Sequence, residues 1–199
     1  LAASGVKELG ICDFDVVDET NLQRQILFND KSVGKDKALE AKTKITELNP
    51  NVKVTVFNEM ITSKNAESIV KDFDLVIDGS DNFATRYLIN DACVLLDKPL
   101  VFGAVSQFEG QVAVFNVLKD GYALNYRDFF PVPPKEGEVL SCADGGVLGV
   151  LPGIIGVMQA IEVIKLIAGI GNVLANQMLI YNALKNTNYT MQVEKHQDS

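Results

Sequence analysis

Between Ile11 and Lys37 the chain reads ICDFDVVDETNLQRQILFNDKSVGKDK, a hydrophobic strand that runs into charge and ends at the mouth of a helix. Asp13, Asp15, Asp18 and Glu19 come first, then Asn21, Arg24, Gln25 and Lys37. Carboxylates at a strand end accept hydrogen bonds from ribose hydroxyls. Arginine as a planar fork and lysine as a point charge both suit phosphate oxygens. One short stretch therefore carries parts for both ends of a nucleotide. The same residues also fit a strand end with solvated charges, with Arg24 paired to Asp15 or Asp18 and Lys37 a solvated helix lysine. Further on, Asp78-Gly-Ser-Asp81-Asn82 lies between a strand and a helix. Read by residue type alone, this stretch is a helix N-cap, with Ser80 or Asp81 as the capping residue. Cys142 lies in SCADGGVLG, where a thiolate near a following helix N-terminus would be favoured and a small buried hydrophobe is the alternative. Cys12 and Cys93 read as core residues of a strand and a helix, and His196, in a polar tail, is given no role.

The elements that must position these residues follow from periodicity. LAASGV at the start reads as the last turn of a helix with a glycine cap, and Lys7 to Asp13 as a strand. Lys35 to Leu48 is predicted helical, with Ala38, Ala41, Ile45 and Leu48 as its apolar stripe, and Asn49-Pro50 stops it. Val52 to Val56 alternates as a strand, and Ser63 to Lys71 is a short helix with Ser63 as its cap. Phe73 to Asp78 is a buried strand, Asn82 to Leu96 a helix, and Leu100 to Gly103 and Gly110 to Val117 are strands. This alternation predicts a parallel sheet with helices on its faces. Lys119 to Asp144 has little periodicity and reads as a long, flexible crossover. A helix over Pro152 to Ile167 follows, with Pro152 in its first turn and Gly169 as C-cap. Gln177 to Leu184 and Tyr189 to Glu194 close the chain as strands.

With 199 residues, 47% of them hydrophobic, one domain with a proper core is expected. A net charge of −8, from 18 basic and 26 acidic residues without a long basic run, argues against a nucleic-acid binder. Three cysteines without paired spacing favour a reducing, cytoplasmic compartment, and no signal peptide is read at the N-terminus. The apolar run Val147 to Ile170 is interrupted by Gln159, Glu162 and Lys165 along one helix face, so a buried or interface helix is expected there rather than a membrane span.

Taken in order, Asp13-Phe-Asp15, Asn21-Leu-Gln-Arg24-Gln25, Gly34-x-x-Lys37, Asp78-Gly-Ser-Asp81-Asn82 and Ser141-Cys142-Ala-Asp-Gly-Gly-Val-Leu-Gly resemble the MoeB/ThiF/HesA family over roughly Leu1 to Glu194. These are bacterial relatives of the ubiquitin-activating enzymes. The resemblance implies an α/β, Rossmann-like sheet, mostly parallel with antiparallel C-terminal strands, with helices on both faces and dimerisation through the Pro152 helix. It implies ATP and magnesium as cofactors. The reaction would be adenylation of the C-terminal glycine of a ubiquitin-like sulfur carrier of the MoaD or ThiS type, serving molybdopterin, thiamine or related sulfur transfer. Asp13 would hold the ribose, with Asp15 beside it. Asn21, Arg24 and Gln25 would contact nucleotide and phosphates, and Lys37 the α- and β-phosphates from a helix N-terminus. Asp81 would hold magnesium, Asp78 and Asn82 would support its loop, and Arg86 would buttress it. Cys142 matches a thiol that takes part in sulfur transfer in some members.

Two departures matter. The resemblance implies a glycine-rich loop and a first strand before Leu1, so the sequence is expected to be N-terminally incomplete. Many relatives also carry two Cys-x-x-Cys pairs for a structural zinc. The first would fall at Asn125-Tyr126-Arg127-Asp128 and the second after Glu194, so no zinc and a less tethered crossover are expected. A non-catalytic partner subunit of the same fold and a nicotinamide-dependent oxidoreductase are the rival readings.

Overall fold

The computed structural model describes residues 1–134 and 146–193; Cys142 and His196 lie outside them. The chain divides into two compact units, Leu1–Ile61 and Thr62–Ser199.

In the first unit, β1 (Glu8–Cys12) pairs in parallel with β2 (Lys53–Phe57), Leu9 opposite Val54 and Ile11 opposite Val56. Between them lies α1 (Lys37–Leu48). Three of the four expected stripe residues face inward: Ala38 and Ala41 are buried, and Ile45 packs with Leu9, Ile11 and Val56 against Ala2, Val52 and Val54, whereas Leu48, at the last turn, is exposed. Small residues at two of the three positions let the helix lie close to the strands. The opening turn is tied down by Asn49, whose Nδ2 donates to the Ala2 carbonyl at 2.8 Å.

The second unit is built on a five-stranded sheet in the order β3 (Val76–Asp78), β4 (Leu100–Ser106), β5 (Glu109–Phe115), β6 (Gln177–Asn182), β7 (Thr187–Gln192). β3 and β4 are parallel; the pairings from β4 to β7 are antiparallel. The class is thus α/β, with the C-terminal strands antiparallel as expected. Phe102 and Phe115 point to one face, where they meet Tyr126 of α4 (Tyr126–Phe129) with ring centroids 5.2 and 6.1 Å away. The opposite face receives α5 (Leu151–Ala168), whose Leu151 and Ile155 pack on Val112. Gly169 closes α5 with φ +64°, a left-handed C-cap that glycine adopts without strain.

Three expectations are corrected here. The short helix is α2 (Ala66–Val70), and its N-cap is Asn65, not Ser63; the Asn65 Oδ1 accepts from both the amide and the hydroxyl of Thr62. The helix after the DGSDN loop is α3 (Phe83–Leu95), and its cap is Asn82 rather than Ser80 or Asp81, with Oδ1 accepting from the Thr85 amide at 2.9 Å. The start of the crossover is firmly tied. Asn176 accepts from the Leu124 amide and donates to the carbonyls of Lys119 and Tyr122, Asn90 accepts from the Tyr126 amide, and the Tyr87 hydroxyl donates to the Phe130 carbonyl. Asn125 and Asp128 form a capping box on α4, and Arg127 makes a two-bond ion pair with Asp91 at 2.8 and 2.7 Å. Carboxamides and one ion pair fasten this stretch.

The direction of the α5 polar stripe is a further finding. Gln159 and Glu162 face inward and are buried, Glu162 accepting from the Leu174 amide at 2.9 Å, while Val157, Ile161 and Ile167 are 62%, 49% and 60% exposed. The helix is long and apolar enough to cross a membrane, but its buried polar groups are bonded within its own unit. Its packed side thus combines Leu151, Ile155 and Val163 with two buried polar residues, and further apolar residues are outward.

Candidate active site

The nucleotide-binding candidates fall into two sets, one in each unit. In the first, the acidic stretch leaves β1 and folds back on itself. Val17 donates to the Lys35 carbonyl and Gly34 to that of Val17, both at 2.8 Å, and Val16 bridges Asp36. This closure brings the first residue of α1 back to the strand exit. The Lys37 amide donates to the Asp15 carbonyl at 2.9 Å, and its Nζ reaches Asp15 Oδ2, also at 2.9 Å. Lys37 is buried, so it is not the solvated helix lysine that the sequence left open. Asp13 is half-buried, and its Oδ1 accepts from the Asp15 amide at 2.9 Å, which fixes the strand-end turn. Asp13, Asp15 and Lys37 are thus held together at one edge.

The intervening loop carries the rest of the first set. Asp18 and Asn21 cap a 3-10 turn over Glu19–Asn21, and the Thr20 hydroxyl and amide hold the Asp18 carboxyl below its usual range. The Asn21 side chain accepts from the Asp18 amide at 3.3 Å, so its carboxamide oxygen serves the turn. Arg24 donates through Nη1 to the Thr20 carbonyl at 3.1 Å and makes no ion pair among the described residues, so the pairing with Asp15 or Asp18 is not found. Most of its donor fork is left for an anion. The Gln25 Oε1 is buried without a partner. In the first turn of α1, Glu40 accepts from the Ser32 hydroxyl at 2.8 Å, with Lys35 3.4 Å away, and these bonds hold its carboxyl below the ordinary range.

In the second unit, β3 ends at Asp78, which is 1% exposed. Its Oδ1 accepts from the Ser80 amide at 2.8 Å, and its other oxygen is buried without a hydrogen bond, as is the Ser80 hydroxyl. Burial pushes the Asp78 carboxyl up, partly offset by the Ser80 amide bond and the Arg86 charge. Arg86 donates to the Ser80 carbonyl through Nη2 at 3.1 Å and Nε at 3.4 Å, and lies over the rings of Phe83 and Phe102. The buttress expected of Arg86 is therefore present, and it acts on the Ser80 peptide. Asp81 itself is exposed, with the Asn82 amide group at 3.5 Å. Cys142 lies outside the described residues. Cys93 is buried, and its thiol is pushed up to about 12 by burial, then by Asp78; Cys12 is exposed, and burial of part of the side chain raises it, helped by Glu59 and Asp13. Among the described residues no group of three or more histidines, cysteines and acids forms a closed metal cage. A lone exposed carboxylate does fit magnesium, which keeps waters and phosphate oxygens in most of its coordination positions.

Two residues that the sequence left without a site role meet at the start of this loop, one from α5 and one from β4. Gln159, from the middle of α5, donates through Nε2 to the Asp78 carbonyl at 2.8 Å and to the Val101 carbonyl at 3.2 Å. Gly103 of β4 makes room for it: a Cβ there would lie 2.3 Å from the Gln159 side chain. A lone carboxamide in an apolar helix was the available signal.

A strand exit carrying acids and a held lysine in one unit, and a strand-to-helix loop carrying an exposed aspartate in the other, are features found where α/β proteins bind nucleotides. The chain belongs to the ThiF family, whose model matches residues 1–199. It is 47% identical over 196 residues to the probable adenylyltransferase/sulfurtransferase MoeZ of Mycobacterium tuberculosis, covering 98% of this chain and 50% of that one. It is 49% identical over 187 residues to the sulfur carrier protein adenylyltransferase of Thermus thermophilus, covering 93% and 69%. The chain thus spans about half the length of the first relative and about two-thirds of the second. Its fold matches the crystal structure of Escherichia coli MccB with MccA-N7isoASN, with a TM-score of 0.82 at 19% identity over 98% of this chain and 60% of that one.

Proposed function

We propose that the protein adenylates the C-terminal glycine of a ubiquitin-like sulfur carrier, using ATP. The observation that carries this reading is the buried Lys37 ammonium held by Asp15 at the start of α1, beside the half-buried Asp13. The names of the two relatives above support adenylation of a sulfur carrier, and that of a third, the probable molybdopterin-synthase adenylyltransferase of Porphyra purpurea, supports molybdopterin synthesis among pathways; a thiamine carrier would undergo the same reaction.

In the step proposed, a carboxylate oxygen of the carrier's terminal glycine attacks the α-phosphorus of ATP. The bond from that phosphorus to the bridging oxygen breaks, and pyrophosphate leaves with the electron pair. Anion attacks anion, so the barrier is electrostatic. Asp13 would accept from the ribose hydroxyls. Lys37 and Arg24 would offset the charge on the phosphates, Lys37 as a fixed point charge and Arg24 through the donors not used on Thr20. Asn21 holds the turn that presents Arg24, and Gln25 offers a buried acceptor beside it. Asp81 would hold magnesium, which supplies charge neutralisation at the phosphate oxygens. Asn125 and Asp128 are occupied in capping α4, so zinc forms no part of the proposal.

The outward apolar side of α5 supports a homodimer, since a second copy would remove Val157, Ile161 and Ile167 from water. A reducing, cytoplasmic setting is supported by the free thiols of Cys12 and Cys93. The test is exchange of labelled pyrophosphate into ATP by the intact protein with magnesium and a matched carrier. Carrier-dependent exchange supports the reading. ATP binding without exchange would mean a non-catalytic subunit, and tighter binding of NAD than of ATP would mean an oxidoreductase.

A further inference from the structure

We propose that Gln159 is a positioning residue that sets the Asp81 loop through the backbone at the end of β3. The inference rests on reading Asp81 as the magnesium-holding residue.

Gln159 is buried to 7% exposure on the inner side of a helix whose Leu151 and Ile155 pack on Val112 of the sheet. A carboxamide there is costly unless its donors are used, and a leucine would fill the same volume without that cost. Both hydrogens of its amino group are used, on the carbonyls of Asp78 and Val101, which belong to the neighbouring parallel strands β3 and β4. The clamp falls where the chain leaves the sheet. From Asp78 the linkage continues without a gap. The Asp78 carboxyl accepts from the Ser80 amide, and Arg86 donates twice to the Ser80 carbonyl. Amide and carbonyl of Ser80 are thus both held, and Asp81 is the next residue.

Two polar atoms of the loop take no part in these bonds: Asp78 Oδ2 and the Ser80 hydroxyl are buried without partners. Position 103 is adapted to the clamp, because any side chain there would collide with the carboxamide. Glu162, the other buried polar residue of α5, accepts from the Leu174 amide and pairs with Lys165 instead. The placement of Gln159 is thus specific to the strand exit.

The experiment uses the intact protein and the Gln159→Leu variant, comparing amide hydrogen exchange over residues 79–82 with that in β4 and α3. Losing a buried neutral hydrogen bond should accelerate exchange in the loop roughly five- to tenfold and leave β4 and α3 unchanged. The magnesium–ATP KM should rise by a similar factor while kcat falls less. Gly103→Ala displaces the carboxamide without deleting it and should give the same local pattern, so it decides the matter if Gln159→Leu does not fold. Unchanged loop exchange, or acceleration spread evenly over β3, β4 and α3, overturns the proposal. If the wild type itself shows no carrier-dependent pyrophosphate exchange, the functional reading fails, and the amide-exchange comparison still decides whether Gln159 sets the loop.

Discussion

Lys37 and Asp15 are joined twice, through an amide-to-carbonyl bond and a side-chain ion pair, each 2.9 Å long. The cation at the start of α1 is therefore fixed before any phosphate arrives. A fixed charge loses less entropy on binding than a free lysine would. Replacing Lys37 with methionine should weaken ATP binding by about 10- to 150-fold, the loss of a charge-assisted bond of about 1.5–3 kcal/mol. Asp15→Asn keeps the lysine charge but loosens its anchor and should cost less. Titration calorimetry of both variants checks the order, and equal losses would contradict it.

Asp81 is exposed and its loop is held by Asp78 and Arg86, so removing its carboxylate should leave the fold intact. Asp81→Ala is expected to lower pyrophosphate exchange by about two orders of magnitude or more, since charge at the phosphates would go unbalanced. Circular dichroism and thermal unfolding should match the wild type. A large fall in stability would show that Asp81 serves the fold rather than the reaction.

The Arg127 guanidinium holds the Asp91 carboxyl below its usual range. A carboxylate whose folded pKa is depressed contributes stability that is present above its unfolded value, near pH 4, and is lost as pH falls through the folded one. Thermal unfolding followed from pH 6 to pH 2 should therefore fall more steeply below about pH 4 for the wild type than for Asp91→Asn. Both groups are more than a third exposed, so solvent screening keeps the gain small. Parallel curves would mean that the pair does not contribute.

Burial of Cys93, with its thiol pushed up to about 12, predicts that it resists alkylation in the native state at neutral pH. Cys12, exposed but raised, should react slowly. Mass spectrometry after iodoacetamide treatment, with and without denaturant, gives the order directly. Modification of Cys93 ahead of Cys12 in the native protein would contradict it.

What could be read from the sequence was what local spacing encodes. The stripe on α1, the proline and glycine that bound α5, and the closing strands all follow from periods of a few residues. Caps were harder: several neighbouring polar residues qualify, and only the one whose oxygen reaches the right amide serves, as Asn82 does for Thr85. The inward direction of Gln159 was not legible, because its acceptors lie 81 and 58 residues away in sequence. The site divides in the same way. The charges of Lys37 and Asp81 can be read by type, whereas the burial of Lys37 depends on the return of Lys35 onto Val17.

Gly103 and Gln159 have a practical consequence for recombining this domain with its relatives. A chimera whose junction falls between those positions takes the notch from one parent and the tooth from the other. Unless both parents share the pair, a bulkier residue at 103 would meet the carboxamide at 159, or a shorter residue at 159 would leave a hollow above the glycine. Segments exchanged between such proteins should therefore include both positions or neither.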